Sequence, residues 1–161
     1  MGDKYKPVDW EEEEGCELQS CGEYTFKRPI EDLAEDELRL AGLRINPKTN
    51  ISSRTRFYVD LKLFDPEAKQ EFEIKNLPGN PKISNLNWSP KYNYIAFTHT
   101  TEMGNELWMI DYDKKTASKL TEAIVSGNMG TTMTWLPDET GVLVKTLPEN
   151  RPSLIDADNK V

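Results

Sequence analysis

The chemistry open to this chain is set by one histidine and by the lack of a nucleophile motif. His99 is the single histidine among 161 residues. Hydrolysis by a serine needs a histidine hydrogen-bonded to that serine and oriented by a carboxylate. The turn that commonly presents such a serine, Gly-x-Ser-x-Gly, does not occur in the sequence. The nearest match, Val125-Ser126-Gly127, lacks the first glycine. We therefore predict no catalytic residue and interpret His99 as a strand-end residue.

Metal and cofactor motifs are missing as well. Asp111-Tyr112-Asp113 suggests calcium, but Lys114 and Lys115 follow where a calcium loop needs oxygen donors and a glycine. A hairpin turn is the better interpretation. Cys16 and Cys21 lack two further ligands for zinc. Their spacing of five could close a small disulfide loop, but two cysteines make no disulfide framework, so we expect free thiols with a disulfide as the alternative. Without a glycine-rich phosphate loop or His-Glu-x-x-His, no cofactor-binding and no metal-binding residue is predicted.

Charge and hydropathy exclude several classes of partner. The net charge of −8 and the pI near 4.8 argue against a nucleic-acid partner. The sequence contains no apolar run of about 18 residues, so we predict no transmembrane segment. Its start, with Glu11 to Glu14, is unlike a signal peptide, and the compartment stays open. A modestly basic stretch is interpreted as a solvated face: Lys48, Arg54, Arg56 and Lys62.

These residues must be positioned by strands. We predict an acidic irregular segment over residues 1–22, a partial β-propeller over 23–147 and a polar tail over 148–161. An amphipathic helix is expected over 30–43, because its apolar residues recur at helical spacing and its acids come early. Residues 56–64 are expected to form an alternating strand with Phe57, Val59, Leu61 and Leu63 on one face, followed by a return strand over 71–75.

An internal repeat gives the fold class. Residues 87–97 and 134–144 align without gaps, with Trp88 matching Trp135 and Pro90 matching Pro137 at an offset of 47 residues. A tryptophan, a turn and an alternating strand at this period are typical of β-propeller blades. Four strands near residues 83–88, 94–99, 106–111 and 117–120 would make one whole blade, and residues 131–135 and 141–146 would begin another. We therefore predict an all-β fold, an incomplete β-propeller of about two four-stranded antiparallel blades with one short helix. A small open sandwich is the alternative.

The tryptophans fit this architecture. Trp88, Trp108 and Trp135 fall in predicted strands, so they are expected in blade cores, with Trp88 and Trp135 largely buried at equivalent sites. A stacking platform for ligands is the alternative interpretation. Asn50-Ile51-Ser52 fits the glycosylation sequon, but so short a motif often arises by chance.

Several strings resemble one peptidase family. Residues 37–47 (Glu-Leu-Arg-Leu-Ala-Gly-Leu-Arg-Ile-Asn-Pro), with Asn50 and Ser53-Arg54, resemble glutamyl-endopeptidase-like members of the prolyl oligopeptidase family. So do residues 85–90, 95–98, 106–108, 135–138 and 143–148. The similarity covers about residues 24–152. The resemblance implies a β-propeller placed over an α/β-hydrolase domain that carries a Ser-Asp-His triad, and none of that triad's positions has a counterpart here.

Two functions follow as hypotheses. In the first, the chain is the N-terminal propeller portion of a serine-peptidase-like protein. It is not itself catalytic, and it gates or selects peptides for a hydrolase domain. In the second, it is a stand-alone module for protein binding or assembly. The expected partners are peptides in the full-length context, the remaining blades and the hydrolase domain. Exposed strand edges would also favour self-association.

Overall fold

The computed structural model describes residues 36–65 and 68–150, together with the backbone of Glu17–Gln19. These ranges contain strands and turns and no helix, which confirms the all-β prediction. None of them holds a helix of the length and apolarity that crossing a bilayer requires. The strands are β1 (Glu17–Gln19), β2 (Leu38–Leu40), β3 (Leu43–Ile45), β4 (Lys62–Asp65), β5 (Gln70–Glu73), β6 (Ile83–Trp88), β7 (Tyr94–Thr101), β8 (Gly104–Asp111), β9 (Thr116–Lys119), β10 (Met133–Trp135) and β11 (Val142–Val144).

A four-stranded antiparallel meander, β6-β7-β8-β9, is the largest sheet. Its strands agree with the four predicted ones to within two residues at each end. Short turns of two to five residues join them, over residues 89–93, 102–103 and 112–115, as an up-and-down sheet requires. The central pair, β7 and β8, is in continuous register from Tyr94 opposite Asp111 to Thr101 opposite Gly104.

The 47-residue repeat is present in the backbone. Trp88 pairs with Ile95 across β6 and β7, and Trp135 pairs with Val142 across β10 and β11. The two turns carry matching hydrogen bonds, from Ser89 N to Tyr94 O (2.8 Å) and from Leu136 N to Gly141 O (2.9 Å). Tyr92 and Glu139, also 47 residues apart, both adopt positive φ, at 61° and 64°. The sequence repeat is therefore one strand–turn–strand unit used twice.

The meander has an apolar core on each face. Alternate side chains of β7 point to opposite sides, as a strand requires, so Ile95 and Phe97 face one core while Ala96 faces the other. The first core is shared with Leu61, Leu63 and Ile74 of the preceding segments, and the second with Val125, Met133 and Trp135 of the following ones. The meander is therefore covered by apolar side chains on both faces.

Smaller sheets complete these neighbours. β1, β4 and β5 form one antiparallel sheet, β2 and β3 another, and β10 and β11 a third. Single bridges connect them to the meander, with Tyr58 opposite Ile83 and Lys75 beside Thr116. A further bridge joins Ile51 to Gly127. The segments before and after the meander therefore meet each other directly.

The predicted helix over residues 30–43 is wrong in its described part. Residues 30–35 lie outside the described ranges, but 36–43 form β2 and the start of a hairpin. Ala41 and Gly42, at φ 47° and 84°, make the two-residue turn, in a conformation typical of tight hairpins. The alternation Leu-Arg-Leu before that turn and Leu-Arg-Ile after it is a strand pattern, and it outweighs the helical spacing.

Three further expectations differ from the structure. The strand expected over 56–64 begins only at Lys62, and Val59 is 49% exposed, because the chain there bends to bridge the meander at Tyr58. Trp135 is buried as predicted, whereas Trp88 is only half-buried. The expected irregular segment includes β1, which pairs with β4.

Candidate functional site

His99 lies at the far end of β7, directly opposite Glu106 of β8. Its Nδ1 is 3.3 Å from Glu106 Oε2, and the indole Nε1 of Trp108 donates to that same oxygen at 2.8 Å. The Trp108 ring also meets the imidazole edge-on, with centroids 6.2 Å apart. The other oxygen of Glu106 faces Lys119 Nζ at 3.5 Å. The single histidine is thus one member of a carboxylate-centred cluster.

The electrostatics of this cluster favour an ionised Glu106. Burial alone would raise the pKa of its carboxyl. Hydrogen bonds from Trp108 and His99, with the charge of Lys119, outweigh burial and leave the pKa below its usual value. A carboxylate beside a histidine can orient the ring, which is the role of the third member of a catalytic triad.

The nucleophile of such a triad does not join this cluster. Within the described ranges, the partners of His99 are a carboxylate and an indole, and the imidazole is 7% exposed. Ser126, in the nearest match to a nucleophile turn, instead continues the sheet, where its N–H donates to Lys145 O at 2.9 Å. The interactions of Glu106 with His99, Trp108 and Lys119 link β7, β8 and β9 at one end of the sheet.

Polar side chains fill the interior beside His99. Thr98 is fully buried, and its hydroxyl lies 3.0 Å from Ser84 Oγ and accepts from Asn85 Nδ2 at 2.9 Å. Thr100 donates to Asn105 Oδ1 at 3.2 Å, and Asn105 is fully buried too. The sequence analysis missed this network. Its signal was the run Thr98-His99-Thr100-Thr101 inside a strand that is otherwise apolar.

The two repeat units, residues 87–97 and 134–144, contact each other through aromatic stacking and hydrogen bonds. Trp135 stacks on Tyr94, with ring centroids 6.2 Å apart and planes 20° apart. Glu139 accepts from the Lys91 main-chain N–H at 2.6 Å and from Asn93 Nδ2 at 2.7 Å. Burial would raise the pKa of Glu139, but hydrogen bonds from Ser89, Asn93 and Lys91 outweigh it and lower that pKa. Hydrogen bonds therefore connect the turn of the second unit to the turn of the first.

Of the remaining sequence candidates, those in the described ranges lie in a turn or in the folded interior. Asp111 accepts from the Lys114 main-chain N–H at 3.0 Å and pairs with its ammonium at 2.6 Å, so this segment is the predicted hairpin turn. Across the described part of the chain, no three His, Cys, Asp or Glu side chains converge as metal ligands would. Asn50 of the sequon is only 6% exposed in the folded chain. Cys16 and Cys21 lie outside the described residues.

Two plant proteins that share one name are similar in sequence to this chain. No protein-family model matches the chain. A protein of Arabidopsis thaliana named "Probable glutamyl endopeptidase, chloroplastic" is 31% identical over 134 residues, which cover 76% of this chain and 14% of that protein. A protein of Oryza sativa subsp. japonica with the same name is 29% identical over 135 residues, with the same coverage.

The chain spans about a seventh of the length of each of these two relatives. Similarity of about 30% across three quarters of this chain indicates a common origin with that part of the relatives. The chain is therefore related to one part of proteins named as plant glutamyl endopeptidases.

Proposed function

We propose that this chain is a partial β-propeller of a peptidase-like protein, in which it limits the access of peptides to a hydrolase domain supplied elsewhere. The observation that carries the proposal is the repeated strand–turn–strand unit at an offset of 47 residues, next to a meander with an apolar core on each face. Blades of a propeller are sheets of this kind, packed face to face around an axis.

The proposed role is steric and not chemical. A ring of blades above an active site admits chains according to their size and flexibility, and it needs rigid sheets more than reactive groups. Two contacts support such rigidity in this chain. Trp135 packs on Tyr94, and Glu139 accepts hydrogen bonds from Lys91 and Asn93. The name that both relatives share, glutamyl endopeptidase, supports peptides ending in glutamate as the class of product.

A chimera tests this role. The 134 matched residues of the Arabidopsis relative would be replaced by this chain's own. We expect the chimera to cleave a short glutamate-containing peptide, and to cleave an intact folded protein with a lower kcat/KM than that peptide. A chimera that digests the folded protein as readily as the peptide would contradict the gating role.

A matched variant makes the comparison sharper. In the same chimera, Trp135→Ala removes the contact between the two repeat units and should raise cleavage of the folded protein relative to the peptide. Lys69→Arg, at an exposed turn position, serves as the control and should leave that ratio unchanged. Equal ratios in both variants would count against a role for these blades in access.

A further inference from the structure

The segments before and after the meander meet at Ile51 and Gly127. These two residues form a parallel bridge, in which Gly127 N donates to the main-chain carbonyl of Asn50 at 3.1 Å. Two residues earlier, the N–H of Val125 donates to Asn105 O of β8 at 2.8 Å. Main-chain hydrogen bonds therefore bring three parts of the chain together. We call this region the junction; it consists of residues 49–51, Asn105 and residues 125–128.

Buried polar atoms at the junction lack hydrogen-bond partners. Within the described ranges, the buried side-chain atoms without a partner are Asn105 Nδ2, Asn128 Oδ1 and Thr49 Oγ1. All of them belong to the junction. Folded proteins rarely leave buried polar groups unpaired, because each such group costs about as much free energy as a lost hydrogen bond. The gathering of these atoms in one small region therefore points to a ligand that pairs with them.

The side chain of Asn105 is held in one orientation. Asn105 is fully buried, and its Oδ1 accepts from the Thr100 hydroxyl at 3.2 Å. Its Nδ2 lies beside Gly127, since a Cβ added to that glycine would be 3.5 Å from this nitrogen and 3.0 Å from Ile51 Cγ2. Because a glycine stands at this position, the amide NH2 of Asn105 faces a place that no side chain of residue 127 fills.

The chemistry of the unpaired atoms selects the ligand. An amide NH2 only donates, an amide oxygen only accepts, and a hydroxyl does both. A metal cation would be repelled by the NH2 of Asn105, and an anion would be repelled by the oxygen of Asn128. The burial of Asn105 requires a ligand small enough to be enclosed. Water donates and accepts, and a buried water typically makes about three hydrogen bonds to otherwise unpaired groups.

We propose that the junction is a hydration site, in which buried water accepts from Asn105 Nδ2 and donates to the oxygens of Asn128 and Thr49. Water bound in this way connects β8 to the segments that precede and follow the meander. The inference uses no group of the His99 cluster, and it does not rest on the proposed role in peptide access.

Nuclear magnetic resonance of the full 161-residue chain, labelled with nitrogen-15, tests the site. We expect a rotating-frame cross peak between water and the Asn105 NH2 protons, with the sign of a dipolar contact and not of proton exchange. The laboratory-frame cross peak should have the sign of a long-lived contact. Asn93 is the control, because its NH2 is also hydrogen-bonded but the residue is exposed, so its contacts with water should be short-lived.

A glycine variant tests the position of the water. In Gly127→Ala the added methyl group occupies the place beside Asn105 Nδ2, and we expect the water cross peak of Asn105 to be lost. Gly79→Ala is the matched control, since a Cβ there meets nothing within 4 Å, and it should keep the cross peak. The dispersion of the backbone amide resonances shows whether each variant is folded. The measurement on the wild type decides the proposal if Gly127→Ala does not fold.

Three outcomes would overturn the proposal. The first is the lack of a long-lived water cross peak at Asn105 in the folded wild-type chain. The second is an undiminished cross peak in folded Gly127→Ala. The third is an Asn105 NH2 resonance that shifts with the concentration of chloride or potassium at constant ionic strength, which would assign the site to an ion. The result of the chimera experiment has no bearing on any of these outcomes.

Discussion

Trp135 donates its indole N–H to the main-chain carbonyl of Asn87, 3.1 Å away. Asn87 immediately precedes Trp88, the residue that Trp135 matches in the repeat. The tryptophan of the second unit is thus anchored beside that of the first, whereas Trp88 packs near Tyr92 and Tyr112 with ring centroids 6.0 Å away in each case. Equivalent positions in the repeat therefore have different environments.

This difference predicts unequal costs for the two tryptophans. Trp135→Ala should lower the free energy of unfolding by about 3–5 kcal/mol, the range for a large aromatic lost from a core. Trp88→Ala should lower it less, because that side chain is only half-buried. Urea denaturation of the two variants measures both values. A larger loss of unfolding free energy for Trp88→Ala than for Trp135→Ala would contradict this expectation.

The backbone geometry at Gly104 leads us to expect that replacing this glycine strongly destabilises the fold. Gly104 has φ 150°, and a Cβ there would lie 2.3 Å from the carbonyl oxygen of Ala123. Gly104→Ala must therefore move backbone, and we expect a loss of more than about 3 kcal/mol. Gly42→Ala is the control, since it has φ 84° with open space around it and should cost about 1 kcal/mol. Thermal unfolding would compare them, and equal costs would contradict the close approach.

Glu106 predicts acid sensitivity. Its pKa is lowered in the folded chain, because hydrogen bonds from Trp108 and His99 and the charge of Lys119 outweigh the opposing effect of burial. A carboxyl whose folded pKa is depressed stabilises the fold above its unfolded pKa. That stabilisation is lost as the pH falls through the folded pKa. The advantage of the wild type over Glu106→Gln should therefore shrink between about pH 5 and pH 3.

Unfolding of both proteins by urea at several pH values measures this advantage. His99→Ala is a useful second variant, because it removes the hydrogen bond between His99 and Glu106 and leaves that of Trp108 in place. An advantage that stays constant down to pH 3 would show that Glu106 gains nothing from its partners.

The edge at β11 predicts self-association. β11 is the last strand of a two-stranded sheet, and the described residues place no further strand on its outer side. Leu143, in its centre, is 63% exposed. Unprotected edges with apolar residues pair with other chains, and a lysine at such an edge discourages pairing. Light scattering should show association that grows with concentration, and Leu143→Lys should reduce it. A wild-type chain that stays monomeric at high concentration would contradict this expectation.

The sequence predicts the repeat well because its signal is local. A tryptophan, a proline turn and an alternating strand recur 47 residues apart, and each copy forms the same turn with a positive φ at Tyr92 or Glu139. The four strands of the meander follow from turn residues between alternating segments. Packing between units, such as Trp135 against Tyr94, depends on contacts distant in sequence and could not be read from either copy alone.

The region before the meander was predicted less well. Residues 30–43 have apolar residues at helical spacing, but Leu38 to Ile45 also alternate around Ala41-Gly42, and the hairpin is the observed outcome. The helical interpretation also missed the pairing of Arg39 with Arg44, because these residues share a face only in a hairpin. The partners of His99 could likewise not be found from sequence, since Glu106 faces it only through the register of β7 and β8.

We expect this chain to carry out no acyl-transfer chemistry of its own. The direct test is labelling of the isolated 161-residue chain with a fluorophosphonate probe, which reacts with activated serines. Because His99 has Glu106 and Trp108 for partners, we expect no labelling above that of the His99→Ala variant. Stoichiometric labelling that His99→Ala abolishes would contradict the claim.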